Sequence, residues 1–412
     1  MNEKQLEAFN TVTQGRNLFL TGSAGTGKSY TLKSIVQYLD MNNIEYGLTA
    51  LTGCAAVLIN GQTIHSFLYL GISRNVDEIY ENINKYKGSL IKFKKLRVLI
   101  IDEISMMDND LFDIIHRLLI RIKGIDKPFG GVQMILVGDF HQLPPINHNY
   151  CFTSDLWNQL NLIPVVLTQI IRQKDDNKLQ LLLEDIRNGD KLTDETIETL
   201  KSLVISKPSS NDVKPTRLYP INTNVDKINK YEFQKLLKIN NNVKVTYKPI
   251  INMKDTKIDL SQYEITLTLN AQVMVIRNIS IDNKLFNGTR GVVVELKDKS
   301  VVIKDTYDNY HEISYYIDIN KNIKNQHKNL QISFIPLKLA YAISIHKSQG
   351  ASIDNLEIDI GEDVFTTGQL YTALSRATNI DNLKLINFSS SSFILNENVK
   401  KFYNNLKKNI CN

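Results

Sequence analysis

The chain has 412 residues, of which 42% are hydrophobic and 22% charged, and it carries a formal net charge of +6. This is the composition of an ordinary soluble protein with enough apolar material for about two or three domains, and the surplus of cations permits a polyanionic partner without requiring one. No stretch approaches the roughly 18 uninterrupted apolar residues of a membrane span, and MNEKQLEAFN has neither the basic nor the apolar region of a signal peptide. Cys54, Cys151 and Cys411 are too scattered for a zinc site or a disulfide framework. An intracellular protein with reduced thiols and no membrane partner is expected.

In chain order, NLFLT (17–21), YGLTAL (46–51), RVLIID (97–102), VQMILVGD (132–139) and PVVLT (164–168) are short apolar runs separated by helical stretches. Near-continuous apolarity marks strands buried on both faces of a parallel sheet. The first half therefore predicts an α/β domain whose active loops lie at the carboxyl ends of its strands. Leu111, Ile114, Ile115, Leu118, Leu119 and Ile122 recur at helical spacing and predict a core-facing stripe. KPSSNDVKP (207–215) interrupts the order as a Pro/Ser/Asn loop. From about 243 to 335 the texture changes. VKVTY, YEITLTL, QVMVIRN, GVVVEL, SVVIKD and HEISYYI, split by Asn-Gly and Asp-Asn turns, predict a small β-barrel or meander.

The most specific chemical signal is GSAGTGKS (22–29), a Gly-x4-Gly-Lys-Ser loop set between the strand NLFLT and the helix-like YTLKSIVQYL. Gly22, Gly25 and Gly27 let backbone N–H groups wrap a polyphosphate, Lys28 neutralises its β and γ oxygens, and the Ser29 hydroxyl suits Mg2+. VLIIDEISM then delivers Asp102 and Glu103 to a strand tip, one carboxylate for the metal and one to polarise an attacking water. A base beside the metal fits hydrolysis better than transfer to a small acceptor. Gln5, upstream of the loop, can read an adenine edge with its two-sided amide, although its position fits a surface glutamine equally well.

Later segments say what such an NTPase is for. VGDFHQLPPI (137–146) ends another strand in a loop bearing Asp139, His141 and Gln142, where the Gln142 amide can sense a γ-phosphate; spacing alone fits a proline-stiffened loop as well. Arg172 in LTQIIRQKD (167–175) and Arg376 in YTALSRATN (371–379) would each, alone, be read as a surface ion pair. With a phosphate loop in the chain they gain meaning, because guanidinium groups at the γ-phosphate speed transfer to water by roughly 10³ or more in some enzymes. SIHKSQG (344–350) is too polar for an inert strand end, and its Gly350 lets the backbone approach a phosphate.

Taken together, GSAGTGKS, LTGCAAVLINGQTIHSF, LIIDEISMMD, KPFGGVQMILVGDFHQLPPI, IIRQKD, LFNGTRGVVV, AISIHKSQGASID and GQLYTALSRAT resemble the ordered motif series of superfamily-one helicases, specifically the PIF (petite integration frequency) family of DNA helicases. The series runs from Gln5 to Arg376. IHKSQG and ALSR are shared with RecD-type relatives, whereas FDIIHRLLIRIKGIDKPFGGVQ is similar to the family's own signature. The chain departs from the pattern at Ile171, where the family often has Phe, and at Tyr341, where it often has Trp.

The resemblance implies an α/β chain of two RecA-like P-loop domains in tandem, 1–165 and 166–412, with ATP in the cleft between them. It places a small wedge-type insertion at about 69–95 in the first and a β-barrel-like accessory insertion at about 270–330 in the second. It implies an ATP-dependent DNA helicase that uses Mg2+, translocates 5′→3′ on single-stranded DNA and unwinds forked duplex DNA in replication, recombination or repair, monomeric when free. A nucleic-acid-stimulated translocase that does not unwind or acts on RNA, and a small-molecule phosphotransferase, are the rival readings. Gln5 would recognise adenine, Gly22, Gly25, Thr26, Gly27, Lys28 and Ser29 would hold the phosphates, and Ser29 with Asp102 the metal. Glu103 would be the water-activating base, and Gln142, Arg172, Gly350 and Arg376 would reach the γ-phosphate. Thr52, Gly53, Thr63, His65, His346 and Lys347 would contact the DNA backbone, which suits a motor because phosphates carry no sequence information. Alone, His65 reads better as a structural histidine capping a turn. SIHKSQG would be a coupler, with Gly350 at ATP and His346 and Lys347 near the DNA.

Overall fold

The computed structural model describes the chain except residues 72–73, 86–87, 174–175, 206–214, 253–259, 278, 280–284, 286–288, 306–307, 326–327, 354 and 412. It divides into two compact units, residues 1–206 with 348–412, and residues 207–347.

The first unit is built on six parallel strands: β1 (Leu18–Gly22), β2 (Tyr46–Ala50), β3 (Gln62–Thr63), β4 (Val98–Asp102), β5 (Gln133–Val137) and β6 (Ile163–Leu167), in the order β3-β2-β4-β5-β1-β6. Each of the five apolar runs is a strand; β3, two residues long, is too short to leave a pattern. Alternation sorts the side chains to two faces. Phe19, Leu99, Ile101, Met134 and Leu136 enter one core, and Leu18, Leu20, Val98, Ile100, Ile135 and Val137 the other.

Three helices of this unit have ends set by their local sequence. α1 (Glu3–Thr13) opens with a reciprocal cap, in which the Asn2 side chain accepts from the Gln5 N–H and the Gln5 side chain accepts from the Asn2 N–H. α2 (Lys28–Met41) starts directly after the phosphate loop. α3 (Asn109–Lys123) is capped by Asp108 and stopped by Gly124 at φ 65°. Its predicted stripe is buried at Ile114, Ile115, Leu118, Leu119 and Ile122, joined by Phe112, while Leu111 is half-buried at the stripe's margin. Each such buried side chain is worth about 1.5–3 kcal/mol of transfer free energy. A fourth helix, α4 (Glu397–Cys411), packs Val399 and Tyr403 into the same core as α3.

Within 69–95 the chain forms two short helices, Val76–Lys85 and Ser89–Lys95, anchored by Ile79, Ile83 and Phe93. Leu356–Ile360 and Leu383–Phe388 pair in parallel in the same unit.

The second unit pairs Thr216–Tyr219 with Ala342–Ser344 in parallel and carries the helix Asn222–Ile239. The rest is β-rich. Five antiparallel strands follow the order Tyr310–Ser314, Ser300–Asp305, Arg290–Leu296, Gln272–Val275, Leu337–Leu339, around Val273, Val275, Val293, Val301, Ile303 and Ile313. HEISYYI, read as one strand, is two. Tyr310–Ser314 belongs to the five-stranded sheet, and after Tyr315 the strand Tyr316–Asn325 pairs with Lys328–Phe334 in another. Most of KPSSNDVKP and the Asn287-Gly288 and Asp282-Asn283 turns lie outside the described residues. Among the described residues, no helix is long and apolar enough to cross a membrane.

Candidate active site

The loop between β1 and α2 closes tightly because glycine permits it. Gly25 and Gly27 have φ of 82° and 91°, the left-handed region where a side chain would be strained. A Cβ on Gly25 would come within 2.7 Å of both Arg172 Cβ and Gln173 Oε1, and one on Gly27 within 2.6 Å of Gln5 Nε2. The loop's own polar groups hold it in shape. Thr26 Oγ1 donates to the Ser23 carbonyl at 2.8 Å, and Lys28 Nζ donates to the Gly22 and Ser23 carbonyls at 2.8 and 3.0 Å. Burial lowers the Lys28 pKa, against the pull of Asp139 and Glu103.

Over this loop opens a cavity of about 430 Å³ within the first unit. Gln5, Gly25, Gly27, Lys28, Ser29, Glu103, Gln142, Arg172, Gly350 and Arg376 all face it, residues drawn from both ends of the chain. Gly22, Thr26 and Asp102 belong to the loop and the adjoining strand end and are not part of its wall. Gly350 has φ 80°, in the left-handed region that glycine favours.

The carboxylates sit where β4 ends. Asp102 is buried and accepts from the Glu103 N–H at 2.8 Å; burial and the neighbouring Glu103 push its carboxyl up to about 7. Glu103 has the left-handed backbone, φ 54° and ψ 43°, which for a non-glycine residue stores strain of the kind concentrated at functional sites. That turn aims its side chain into the cavity, where Gln349 Nε2 donates to Glu103 Oε2 at 2.9 Å.

Facing the carboxylates are two arginines. Arg172 Nη1 donates to the Ser375 carbonyl at 3.0 Å. Arg376 is 2% exposed and, among the described residues, donates to neutral oxygens, those of Thr372, Ala351 and Ser375. Among the described residues neither guanidinium forms an ion pair. Burial and then the charge of Arg172 bring Arg376 down to about 10. A buried and a half-buried guanidinium held together without a direct ion pair are costly unless an anion joins them. Two buried amides complete the set: among the described residues Gln5 Nε2 and Gln142 Oε1 have no hydrogen-bond partner.

Several participants escaped the sequence. Gln173 is buried, donates to the Ala377 carbonyl at 2.9 Å and leaves its Oε1 unpartnered beside Gly25. Tyr371 accepts from the Ala24 N–H of the phosphate loop at 2.9 Å. Gln173, Gln349 and Tyr371 lie inside motifs already quoted, IIRQKD, SIHKSQG and YTALSRATN, so those motifs were the available signal. Arg187 and Tyr403, which hold Asp139, carry no local signal at all.

The nucleic-acid candidates lie elsewhere. Thr52 and Thr63 follow or end β2 and β3 and serve as caps, accepting from the Ala55 and Ser66 N–H groups at 3.1 and 3.2 Å. Gly53 and His65 are exposed. In the second unit His346 is half-buried and Lys347 exposed, in a short 3-10 turn after Ala342–Ser344.

Comparison with known proteins gives this geometry its place. The profile of the PIF1-like helicase family matches residues 1–196, and that of the DNA helicase Pif1 2B domain matches residues 259–296. The ATP-dependent DNA helicase Pif1 of Bdellovibrio bacteriovorus is 33% identical over 98% of this chain and 91% of its own length. The chain belongs to the PIF1-like helicase family. The ATP-dependent DNA helicase PIF1 of Xenopus laevis is 34% identical over 99% of the chain, which spans 65% of that relative's length. Among solved structures, Pif1 helicase from Candida albicans superposes with a TM-score of 0.86 at 29% identity, covering 98% of this chain and 99% of that one. Bacteroides Pif1 in complex with ADP-AlF4 gives 0.79 at 27% identity, over 99% and 97%. Like these PIF1-like helicases, the chain is an α/β protein of tandem RecA-like domains with a β-rich insertion. At the family's variable position Ile171 lines the cavity, and its N–H donates to the Gly25 carbonyl at 2.8 Å.

Proposed function

We propose that the chain is an ATP-dependent DNA helicase that moves 5′→3′ along single-stranded DNA and unwinds forked duplex, inside the cell and as a monomer when free. The observation that carries this is the convergence on the cavity of a phosphate loop of Arg376, a buried guanidinium, and Arg172, a half-buried one, neither of them ion-paired among the described residues. An anion of high charge density satisfies both. The relatives' names support ATP and DNA as substrates, as do solved structures of Bacteroides Pif1 in complex with ADP-AlF4 and bound to single-stranded DNA.

In this reading ATP is the substrate, and Gln5 Nε2, unpartnered and beside Gly27, donates to the adenine. Gly22 to Ser29 supply backbone N–H groups to the phosphates and Lys28 releases the loop carbonyls to bind them. Glu103, oriented by Gln349, accepts a proton from the water that attacks the γ-phosphorus; the bond to the β–γ bridging oxygen breaks and ADP leaves with its electron pair. Lys28, Arg172 and Arg376 receive the charge that develops, and Gln142 and Gly350 register the γ-phosphate. The Ser29 hydroxyl and the Asp102 carboxylate fit Mg2+, which when bound neutralises charge on the β and γ oxygens.

We place the boundary between the RecA-like domains at 165/166, so that Arg172, Gly350 and Arg376 act from the second, with the wedge at about 69–95 and the accessory insertion at about 270–330. Thr52, Gly53, Thr63, His65, His346 and Lys347 then hold the DNA backbone. Opening one base-pair step costs about 1.4 kcal/mol, so one hydrolysis suffices for a nucleotide of movement.

The test is ATP hydrolysis and strand separation on forks with a single 5′ or 3′ tail. Strong stimulation by single-stranded DNA and opening of the 5′-tailed fork alone are expected. Stimulated hydrolysis without strand separation would leave a translocase, and hydrolysis indifferent to any nucleic acid would sink the motor.

A further inference from the structure

Behind the cavity, one hydroxyl joins the two loops that would read the γ-phosphate. Asp139 is fully buried at the end of β5, and its Oδ1 accepts from the His141 N–H at 3.2 Å while its carbonyl accepts from the Gln142 N–H at 2.9 Å. Asp139 therefore shapes the turn that carries Gln142. Two groups from distant helices hold it. Arg187, near the end of the helix Asn177–Asn188, makes a two-pronged contact, Nε to Oδ2 and Nη2 to Oδ1, each 3.0 Å. Tyr403 of α4 donates its hydroxyl to Oδ1 at 3.1 Å.

The Tyr403 oxygen does more. A phenol has a single proton to give, and because it goes to Asp139 the oxygen must accept from its other neighbours. These are the Phe140 N–H at 3.1 Å and the Thr21 hydroxyl at 2.8 Å. Thr21 immediately precedes Gly22, where the phosphate loop begins. The ring is fixed as well, stacked on His141 at 4.7 Å with planes 16° apart and lying under Arg187 at 5.2 Å. Burial would raise the Asp139 carboxyl, but the Arg187 charge outweighs it and keeps the group ionised as an acceptor.

We propose that Tyr403, with Arg187, is a positioning residue for ATP hydrolysis: its hydroxyl locks the strand end that starts the phosphate loop to the turn that carries Gln142, so that α4 sets the register of the two loops. The inference rests on the ATPase reading above. Neither residue reaches the cavity wall. They act through Thr21, Phe140 and Asp139, and a displacement of about 1 Å in such a support is enough to slow a reaction by an order of magnitude or more.

Tyr403→Phe deletes the hydroxyl and keeps the stacked ring. DNA-stimulated hydrolysis by the full chain should fall roughly tenfold in kcat while the KM for ATP stays within about twofold. Thr21→Val, which removes the hydroxyl's partner without touching α4, should move kcat in the same direction and covers the case in which Tyr403→Phe fails to fold. Leu406→Ala is the control for helix packing, because Leu406 of α4 packs against the same core. It should lower the melting temperature and leave kcat near wild type. Full kcat in both hydroxyl variants, or an equal loss of kcat in Leu406→Ala, would overturn the assignment. Wild-type protein without DNA-stimulated hydrolysis would instead refute the ATPase reading itself.

Discussion

In the nucleotide cavity Gln5, Gln142 and Arg376 are at most 4% exposed, whereas at the edge following β2 the residues Gly53, Gln62, His65 and Ser66 are exposed and a Cβ on Gly53 would meet nothing within 4 Å. Both regions follow carboxyl ends of strands in one parallel sheet, where α/β proteins bind ligands. They meet different demands. The cavity concentrates unpaired donors, buried charge and a strained carboxylate turn, so that a small anion completes it. The edge offers capped backbone and open space, which fits a polymer gripped along its phosphates and released again. A motor needs both, a site that discriminates strongly between two states of one nucleotide and a track that discriminates weakly between sequences.

The sharpest way to break this contrast is Lys28→Ala. Loss of the one cation at the start of α2 should abolish measurable hydrolysis and unwinding, an effect of about 10² to 10³ or more, while single-stranded DNA binding is largely retained. A variant that still hydrolyses ATP robustly in the presence of DNA would show that the cavity is not the catalytic site. Arg376→Ala comes next. Removing a guanidinium whose contact with the γ-phosphate strengthens in the transition state should reduce kcat by roughly 10³ and change ATP affinity far less. Normal turnover would mean that Arg376 is a structural cation, satisfied by the Thr372, Ala351 and Ser375 oxygens alone.

How much of this was legible in the sequence depended on whether a residue's neighbours in space were also its neighbours in the chain. The strands of the first unit could be read because a strand covered on both faces is buried at every position and therefore mostly apolar, as β1 and β4 are. The phosphate loop could be read because its chemistry is local, eight residues between a strand and a helix. Arg172 and Arg376 were visible only through the motif series, since what distinguishes them from surface arginines is their place on the cavity without a direct ion pair among the described residues. Arg187 and Tyr403 were invisible. Each is one polar residue on an otherwise ordinary amphipathic helix, and its meaning comes from Asp139, distant in sequence and brought close by the fold. In the β-rich unit the strands were legible but the break at Tyr315 was not, because alternation says which face a residue takes and not which sheet it joins.

A histidine behind the cavity sharpens the contrast through pH. Burial, and then the positive charge of Arg187, lower His141 from 6.5 to about 4. Between those values the unfolded chain binds a proton that the folded chain refuses. Stability should therefore rise with pH from about 4 to 6.5 and be lost on acidification through the same window, by about 3 kcal/mol for this group. His141→Phe, which can keep the stack on Tyr403, should flatten the dependence of the melting temperature across that interval. An unchanged slope would place the acid sensitivity elsewhere.

The smallest effects belong to the proposed DNA contacts, Thr63 and His65 at the edge and Lys347 in the second unit. If Lys347 pairs with a DNA phosphate, Lys347→Ala should weaken single-stranded DNA binding a few-fold and alike for all sequences, and should reduce the slope of log affinity against log salt by about 0.7, the share of one released counterion on a single strand. Thr63→Ala and His65→Ala remove groups that are neutral at pH 7.5, so affinity should fall while the slope stays the same. At saturating DNA all three should hydrolyse ATP at close to the wild-type rate, because none faces the cavity. Losses that depended on base sequence would make these contacts readers of bases, and the weak discrimination assigned to the track would then be wrong.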